Sequence, residues 1–230
     1  MVQRPADQRL LRFRRRLLRW FSRHGRSLPW RETRDPYKIL VSEVMLQQTQ
    51  VDRVRDFYDR FLTRYPTVAD LASAGPLEVR ESWEGLGYYA RARNLHRASQ
   101  AVMTEHRGAF PTHVEQLVAL PGIGRYTAGA VASFAFNRRA PILDTNVARV
   151  LRRIFGVRGD PKSSRVQKRL WRLAEASLPR KKIWEFNQGI MDFGAMICTA
   201  RNPQCGTCPM ADICRAPISP PLPSRRSCRL

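Results

Sequence analysis

Four cysteines near the C-terminal end of the chain have the spacing of ligands for an inorganic centre. Cys198, Cys205, Cys208 and Cys214 follow the pattern C-x6-C-x2-C-x5-C. Four thiolates in so short a stretch can wrap one iron–sulfur cluster, and four cysteines also make structural zinc sites. A common zinc arrangement has two C-x-x-C pairs and this segment has one, so the spacing favours iron–sulfur and leaves zinc open. Cys228 lies outside the pattern and is interpreted as an incidental thiol.

A single acid, Glu43, interrupts an otherwise apolar segment between Tyr37 and Leu46. One interpretation is a solvated glutamate on an exposed helix face. The other is a buried carboxyl group, because apolar residues flank it on both sides. Burial would favour the protonated acid, which is the form that a general acid needs. We therefore take Glu43 as a candidate proton donor.

Two glycines, Gly122 and Gly124, join two predicted helices in the run from Leu120 to Arg125. Glycine lets the backbone turn sharply and lets a phosphate approach the N–H groups at the start of the second helix. Such a contact fixes register on DNA without reading sequence. The alternative is an ordinary helical hairpin with glycine caps.

A second candidate acid, Asp144, follows a short apolar run and precedes a helix predicted from about Val147. Aspartate is a preferred helix N-cap, and that role is compatible with chemistry. A carboxylate held at a helix start beside apolar residues is rigid and partly desolvated, and the helix dipole favours its ionised form. Together, Glu43 and Asp144 supply the acid and the anion that cleave a glycosidic bond through an oxocarbenium-like transition state.

The elements that must position these residues are predicted to be helices, because apolar residues recur at helical spacing between Gly- and Pro-bearing turns. No alternating strand pattern of useful length is present, so the predicted fold class is all-α. The predicted helices span residues 8–24, 37–47, 51–65, 77–83, 90–106, 114–120, 126–136, 147–155, 166–176 and 183–197.

The charge balance favours a polyanionic partner. Lys and Arg number 41 against 19 Asp and Glu, which gives a net charge of +22. Such an excess suits a protein that neutralises phosphates, although an arginine-rich soluble protein is the plainer alternative. Since neither a secretory signal nor an apolar stretch of membrane-spanning length is recognisable, we expect a cytoplasmic, nucleoid-associated protein with no membrane partner.

Several motifs in order resemble the MutY-type adenine DNA glycosylases of the helix-hairpin-helix (endonuclease III) superfamily. The resemblance runs from about Leu17 to Cys214 and includes residues 42–51, 85–91 and 189–198 with the hairpin and the cysteines. It implies a two-lobed fold with a six-helix barrel lobe at 30–137 and a cluster lobe at 1–29 and 138–216. Residues 217–230, with four prolines and three arginines, are predicted to be disordered. The resemblance also implies a [4Fe–4S] cluster that orders a basic loop containing Arg201.

The same resemblance implies roles for individual residues around a base flipped out of the duplex. Glu43 would protonate adenine at N7, and Asp144 would stabilise the sugar cation or bond transiently to C1′, with Tyr126 and Asn146 assisting. The positions that match the adenine pocket are Trp30, Arg31, Leu46, Val51 and Gln188. Those that match DNA contacts are Gln48 and Tyr88 as wedges, with Gly122, Gly124, Arg125 and Arg201. For Trp30 and Leu46, simple core packing is the alternative.

The resemblance implies a monomeric enzyme that acts on double-stranded DNA containing a mispaired or damaged base. Adenine opposite guanine or 8-oxoguanine is the predicted target. Relatives with lyase activity carry a lysine at the position of Tyr126, and a phenol cannot form a Schiff base. We therefore predict a monofunctional glycosylase.

Two alternatives stay open. Archaeal-type mismatch thymine glycosylases resemble the same family and also have tyrosine at the position of Tyr126, so thymine or uracil opposite guanine is the second candidate. MutY proteins carry a further C-terminal domain that recognises 8-oxoguanine, and the 16 residues after Cys214 do not match it, so that preference is not implied. The third possibility is a non-catalytic DNA-binding iron–sulfur protein, against which the presence of both acids argues.

Overall fold

The computed structural model describes residues 5–216, with side chains from residue 8 onward, and this part of the chain is helical without any strand. The all-α prediction is confirmed. The predicted disordered tail and Cys228 lie outside the described residues. The helices are α1 Pro5–His24, α2 Pro36–Met45, α3 Val51–Arg64, α4 Val68–Ser73, α5 Pro76–Ser82, α6 Ala90–His106, α7 Val114–Ala119, α8 Arg125–Phe134, α9 Thr145–Phe155, α10 Ser164–Ser177 and α11 Ile183–Met196, with 3₁₀ turns at Pro29–Arg31, Cys205–Thr207 and Ala211–Ile213.

Local sequence signals explain where these helices begin and end. Pro36 stands in the first turn of α2, and the Asp35 carboxylate accepts a hydrogen bond from the Tyr37 N–H at 2.8 Å. Both features satisfy a helix start. The unpredicted helix α4 begins with a reciprocal box, in which Thr67 and Asp70 each bind the other's backbone N–H. That signature was present in the sequence, but a six-residue helix leaves little periodicity to detect.

The described residues divide into two compact units. The first, here called the central unit, is Arg26–Ile142, and the second, the split unit, combines the chain up to Gly25 with the chain from Leu143 onward. None of the helices within residues 5–216 has both the length and the apolar character needed to cross a bilayer.

The central unit is built around α2, which contacts α3, α6 and α8. All residues of α2 from Ile39 to Met45 are buried. An aromatic layer extends this core where Phe61 meets Trp83 edge to face, with ring centroids 5.7 Å apart. A helix buried along most of its surface explains why the segment around Glu43 is so apolar.

The split unit is built on α11, which packs against α1 and α9. Phe13 of α1 meets Phe186 edge to face at 5.8 Å, and Trp20 meets Phe193 at 5.3 Å. Gly194 lets α11 approach α9 closely, because a Cβ there would lie 2.7 Å from the Cβ of Asn146. This close approach holds the start of α9 against α11.

Candidate functional site

Glu43 lies in the buried part of α2, and its side chain is only 5% exposed. Its neighbours in the helix, Ser42 and Val44, are buried as well. The apolar sequence of α2 makes the helix bury itself, and the acid is carried inside with it. A carboxyl group held out of bulk water on a rigid helix suits the role of a general acid.

Asp144 caps the N-terminus of α9. Its carboxylate accepts hydrogen bonds from the Val147 N–H at 2.7 Å and from the Asn146 side-chain amide at 3.0 Å. Burial raises the pKa of Asp144 above its usual value, although these hydrogen bonds and the nearby Arg149 charge act to lower it. The sequence predicted that the helix dipole would favour the ionised form of Asp144. In the structure, desolvation outweighs the dipole and the cap hydrogen bonds. A partly desolvated carboxylate interacts strongly with any cation formed beside it.

A chain of hydrogen bonds links Asp144 to the cysteine segment. Asn146, which donates to Asp144, accepts at 2.6 Å from the guanidinium of Arg149. Arg149 also donates to the backbone carbonyls of Cys198 at 2.7 Å and Gly194 at 2.7 Å. Arg149 was not predicted from the sequence, because its acceptors lie far along the chain and are mostly backbone atoms. Its position indicates that the orientation of Asp144 depends on the fold around Cys198.

The four cysteines of the motif line one cavity of about 70 Å³ in the split unit. Its remaining walls are largely apolar and include Ile154, Phe193, Ile197 and Met210. Within residues 5–216, no three Cys, His, Asp or Glu side chains are grouped as ligands of one metal ion. What agrees with the prediction that the four thiols belong together is the cavity that they share.

The surroundings of these thiols fit an iron–sulfur cluster. The Arg153 guanidinium and the Met210 N–H each lie 3.4 Å from a cysteine sulfur, of Cys198 and Cys208 respectively. Donors of this kind stabilise cluster sulfurs. Burial raises the pKa of the Cys208 thiol to about 11 and also raises that of Cys214. Since an apolar cavity disfavours bare thiolates, a bound metal centre would be required to keep the four cysteines deprotonated.

The predicted hairpin is formed by α7, residues 120–124 and α8. Gly122 adopts a left-handed φ of 74°, and a Cβ there would lie 2.5 Å from the side chain of Asn94. Gly124 is the N-cap of α8, and no atom lies within 4 Å of where its Cβ would stand. The start of α8 is therefore open to an approaching backbone or anion, as the DNA-contact prediction requires. Arg125, the first residue of α8, is exposed.

The two predicted wedge residues, Gln48 and Tyr88, are both exposed and both in left-handed backbone, with φ values of 58° and 51°. Tyr88 leaves 60% of its surface in solvent. An exposed tyrosine in a strained loop is an unusual choice for stability alone. The structure therefore favours a functional interpretation of this pair.

The predicted base-pocket residues have mixed environments. Trp30 is 6% exposed and packs edge to face on Tyr58 at 5.4 Å, which supports the core-packing alternative for that residue. Leu46 is the half-buried C-cap of α2, and Val51 is the half-buried first residue of α3. Arg31 donates to the carbonyl of Arg26 from the first 3₁₀ turn. Gln188 is buried in α11.

The predicted site residues divide between the two units. The central unit carries Glu43 on α2 and Tyr126, half-buried, in the first turn of α8. The split unit carries Asp144, Asn146 and the four cysteines, with Arg201 exposed in the cysteine segment. The predicted convergence of Glu43 and Asp144 on one nucleotide stays a prediction.

Comparison with known families assigns both parts of the chain. Residues 41–176 match the HhH-GPD superfamily of base excision DNA repair proteins. Residues 198–214 match the iron–sulfur binding domain of endonuclease III. The cofactor prediction is confirmed at this level, because the cysteine segment is an iron–sulfur binding domain.

Individual relatives agree with these matches. The rat adenine DNA glycosylase is 46% identical over 213 residues, which cover 89% of this chain and 41% of the relative. The chain thus spans about two fifths of the length of that relative. A solved structure of a thermostable thymine-DNA glycosylase is 34% identical with a TM-score of 0.85, and the alignment covers 92% of this chain and 98% of that one. A trapped endonuclease III–DNA covalent intermediate is 26% identical with a TM-score of 0.78, covering 94% and 97%.

Proposed function

The chain belongs to the HhH-GPD superfamily of base excision DNA repair proteins, and from that premise we propose that it is a monofunctional DNA glycosylase. The proposed reaction is hydrolysis of the N-glycosidic bond of adenine mispaired with guanine or 8-oxoguanine. The observation that carries the proposal is the buried acid Glu43 in α2. Buried acids of this kind are concentrated at sites that transfer protons.

In the proposed mechanism, Glu43 donates a proton to N7 of the extruded adenine. Protonation makes the base a neutral leaving group, so the C1′–N9 bond breaks while positive charge develops on the sugar. A water molecule then adds to C1′ and gives up one proton, which restores the acid form of Glu43, and the products are free adenine and an abasic site.

Asp144 supplies the negative charge that faces the developing sugar cation. Its cap bonds to Val147 and Asn146 fix the carboxylate before the reaction begins, so no reorganisation is needed at the transition state. Because burial raises the pKa of Asp144, the charge is poorly solvated and is stabilised when a cation forms beside it. Tyr126 and Asn146 are proposed to assist by orientation.

The absence of efficient strand cleavage is part of the proposal. Tyr126 stands in the first turn of α8, and a phenol cannot attack C1′ to form a Schiff base. We expect an abasic product that is cleaved only after alkali treatment. Strong nicking without alkali, by a preparation free of other nucleases, would contradict this assignment.

The excised base is tested with duplexes that contain A:G, A:8-oxoguanine, T:G or U:G, each followed by alkali. The adenine glycosylase relatives support adenine. The likeness to a thymine-DNA glycosylase structure supports thymine as the second candidate. Cleavage of T:G without A:G would replace adenine by thymine, and no cleavage of any duplex would leave the non-catalytic DNA-binding alternative.

The role of Glu43 is tested by Glu43→Gln, which keeps the shape of the side chain and removes the titratable proton. We expect the single-turnover excision rate to fall by about 10²- to 10⁴-fold. Glu105→Gln, on an exposed position of α6, is the matched control and should keep the parental rate. Excision at an undiminished rate by Glu43→Gln would remove the general acid from the mechanism.

The DNA partner and the cofactor have separate tests. Gly122, Gly124, Arg125 and Arg201 are proposed to contact the DNA backbone, so affinity for duplex DNA should fall steeply with salt. A flat salt response would contradict a phosphate interface.

Cys198, Cys205, Cys208 and Cys214 are proposed to hold a [4Fe–4S] cluster, which stabilises the loop between them. Iron analysis should find about four iron atoms per chain, whereas one zinc ion would refute the cluster.

A further inference from the structure

Arg91, in the first turn of α6, is a buried arginine that the mechanism above does not use. Its guanidinium donates hydrogen bonds to two separate segments of the central unit. At the end of α2 and in the turn that follows, its acceptors are the carbonyls of Val44 at 3.0 Å, Met45 at 2.7 Å and Gln47 at 2.5 Å, with the Thr49 hydroxyl at 3.2 Å. In the loop before α6, they are the carbonyls of Leu86 at 3.2 Å and Gly87 at 3.1 Å.

All these acceptors are neutral, and five of the six are backbone carbonyls. The carbonyls at the end of α2 have no partner within their own helix, and the negative end of the helix dipole favours a cation there. Burying a guanidinium without a carboxylate is costly. A surface loop needs no such group for its own stability, so Arg91 indicates that the two segments must keep a fixed geometry.

The two segments carry the proposed wedge residues. Gln48 follows one acceptor, Gln47, and Tyr88 follows another, Gly87, and both wedge residues have left-handed backbone. The segments face each other across an open pocket of about 460 Å³. The Arg91 guanidinium also lies over the Tyr88 ring, 5.5 Å from its centroid. Left-handed conformations of non-glycine residues persist only where the surroundings impose them, and Arg91 is positioned to impose both.

We propose that Arg91 is a positioning residue that locks the Gln48 turn and the Tyr88 loop into one rigid pair, so that both side chains enter the duplex together. That the two segments are held together follows from the geometry alone. That this pairing helps the side chains to enter the duplex rests on the proposed glycosylase function. Arg91 acts through the backbone of these segments and touches no reacting atom. The bonds to Val44 and Met45 also fix the last turn of α2, which contains Glu43.

The chemistry of the side chain makes the proposal testable by a conservative substitution. A guanidinium is a planar fork that can donate to both segments at once, whereas a lysine ammonium is a point charge with three donors at one atom. Arg91→Lys keeps the charge and the length of the side chain but can hold only one segment firmly. Arg97→Lys, on an exposed position of the same helix, is the matched control.

The experiment measures extrusion and excision separately on the full chain with its cluster. We expect Arg91→Lys to bind a fully matched duplex within about twofold of the parent, since phosphate contacts set that affinity. Its single-turnover adenine excision should fall about 10- to 100-fold, because small displacements of positioned groups have effects of that size. Fluorescence of 2-aminopurine placed opposite guanine, which reports extrusion, should fall in parallel, and Arg97→Lys should match the parent in every measurement.

Hydrogen exchange separates failure of this inference from failure of the proposed function. In Arg91→Lys, the amides of residues 46–49 and 85–88 should exchange faster together, while those of α8 keep their protection. That result would support the lock even if the parent excises no adenine, which would refute only the proposed function. If the parent excises adenine and Arg91→Lys excises it equally fast, or if only one segment loosens, the lock is refuted.

Discussion

Two arginines, the buried Arg91 in the central unit and the half-buried Arg149 in the split unit, use the same device to hold backbone outside their own helices. Each guanidinium donates to backbone carbonyls that its own helix does not supply. Burial lowers the pKa of both groups, which shows that each charge is held at a desolvation cost. In both units, therefore, the hydrogen bonds of a guanidinium hold the backbone of a segment with a proposed function in place.

The difference lies in what each arginine is connected to. Arg91 donates only to neutral groups of the central unit. The contacts that hold the Gln48 and Tyr88 segments therefore all come from residues of that unit. Arg149 binds the Asn146 side chain and the carbonyl of Cys198. Its arrangement thus includes both Asp144 and a proposed cluster ligand. The Gln48 and Tyr88 segments are therefore held by contacts of the central unit alone, whereas the start of α9 in the split unit is tied to the iron–sulfur segment.

After Glu43→Gln, the largest effect is expected when the charge of Asp144 is removed. Asparagine caps a helix as well as aspartate does, so Asp144→Asn should keep the start of α9 while single-turnover excision falls about 10²- to 10³-fold. Ser163→Ala, which removes the cap of α10, is the control and should cost about 1 kcal/mol of stability with no loss of rate.

The double variant Glu43→Gln with Asp144→Asn tests whether the two units act on one nucleotide. Groups that act as a unit have strongly non-additive effects on rate. We therefore expect the double variant to be little slower than the slower single variant. Additive free energies of activation would contradict convergence of the two carboxyl groups.

A smaller loss is expected from Arg149→Lys, which cannot donate to Asn146, Gly194 and Cys198 together. Substitution of such outer partners typically costs about 10- to 100-fold in activity or metal affinity. We expect both the excision rate and iron retention during dialysis against a chelator to fall. Arg152→Lys, whose acceptors are Val157 and Gly159, should retain both. Loss of iron by Arg91→Lys as well would contradict the claim that only the arginine of the split unit is linked to the cluster.

Tyr88→Ser should reduce excision by about tenfold, because stacking of an aromatic ring on a base contributes free energy of that order. Tyr89→Ser is the adjacent control, since the Tyr89 ring lies under the Arg80 guanidinium at 5.4 Å. The measurement is single-turnover excision together with 2-aminopurine fluorescence. An equal loss in both variants would mean that the loop contributes bulk and not a specific wedge.

The smallest effect is expected in the pH dependence of stability. Burial raises the pKa of Asp144 in the folded protein, so the folded state binds its proton more tightly than the unfolded state. This contribution favours folding at low pH and is lost as pH rises from about 4, the ordinary aspartate pKa, through the folded pKa. The free energy of unfolding of Asp144→Asn minus that of the parent, measured with denaturant, should therefore be larger at pH 7 than at pH 4. A stability difference that is independent of pH would contradict the raised pKa.

The parts of the site that the sequence predicted are those marked by residue type and local spacing. The cysteine pattern, the two-glycine hairpin and the single acid in an apolar helix each depend on fewer than twenty consecutive residues. Most helices were predicted for the same reason, because periodicity and proline act over one or two turns. The exceptions were short: α4 and the 3₁₀ turns offer too few residues for a period to emerge.

The helical fold class, the metal-binding segment and the two candidate acids can be recognised from residue types and spacing alone. How the functional segments are held is visible only in the folded chain. Arg91 finds four of its six acceptors in residues 44–49, more than forty positions earlier, and Arg149 finds one 49 positions later in Cys198. Most of these acceptors are backbone carbonyls, which every residue carries. No choice of side chain marks them in the sequence, so they become visible only when the chain is folded.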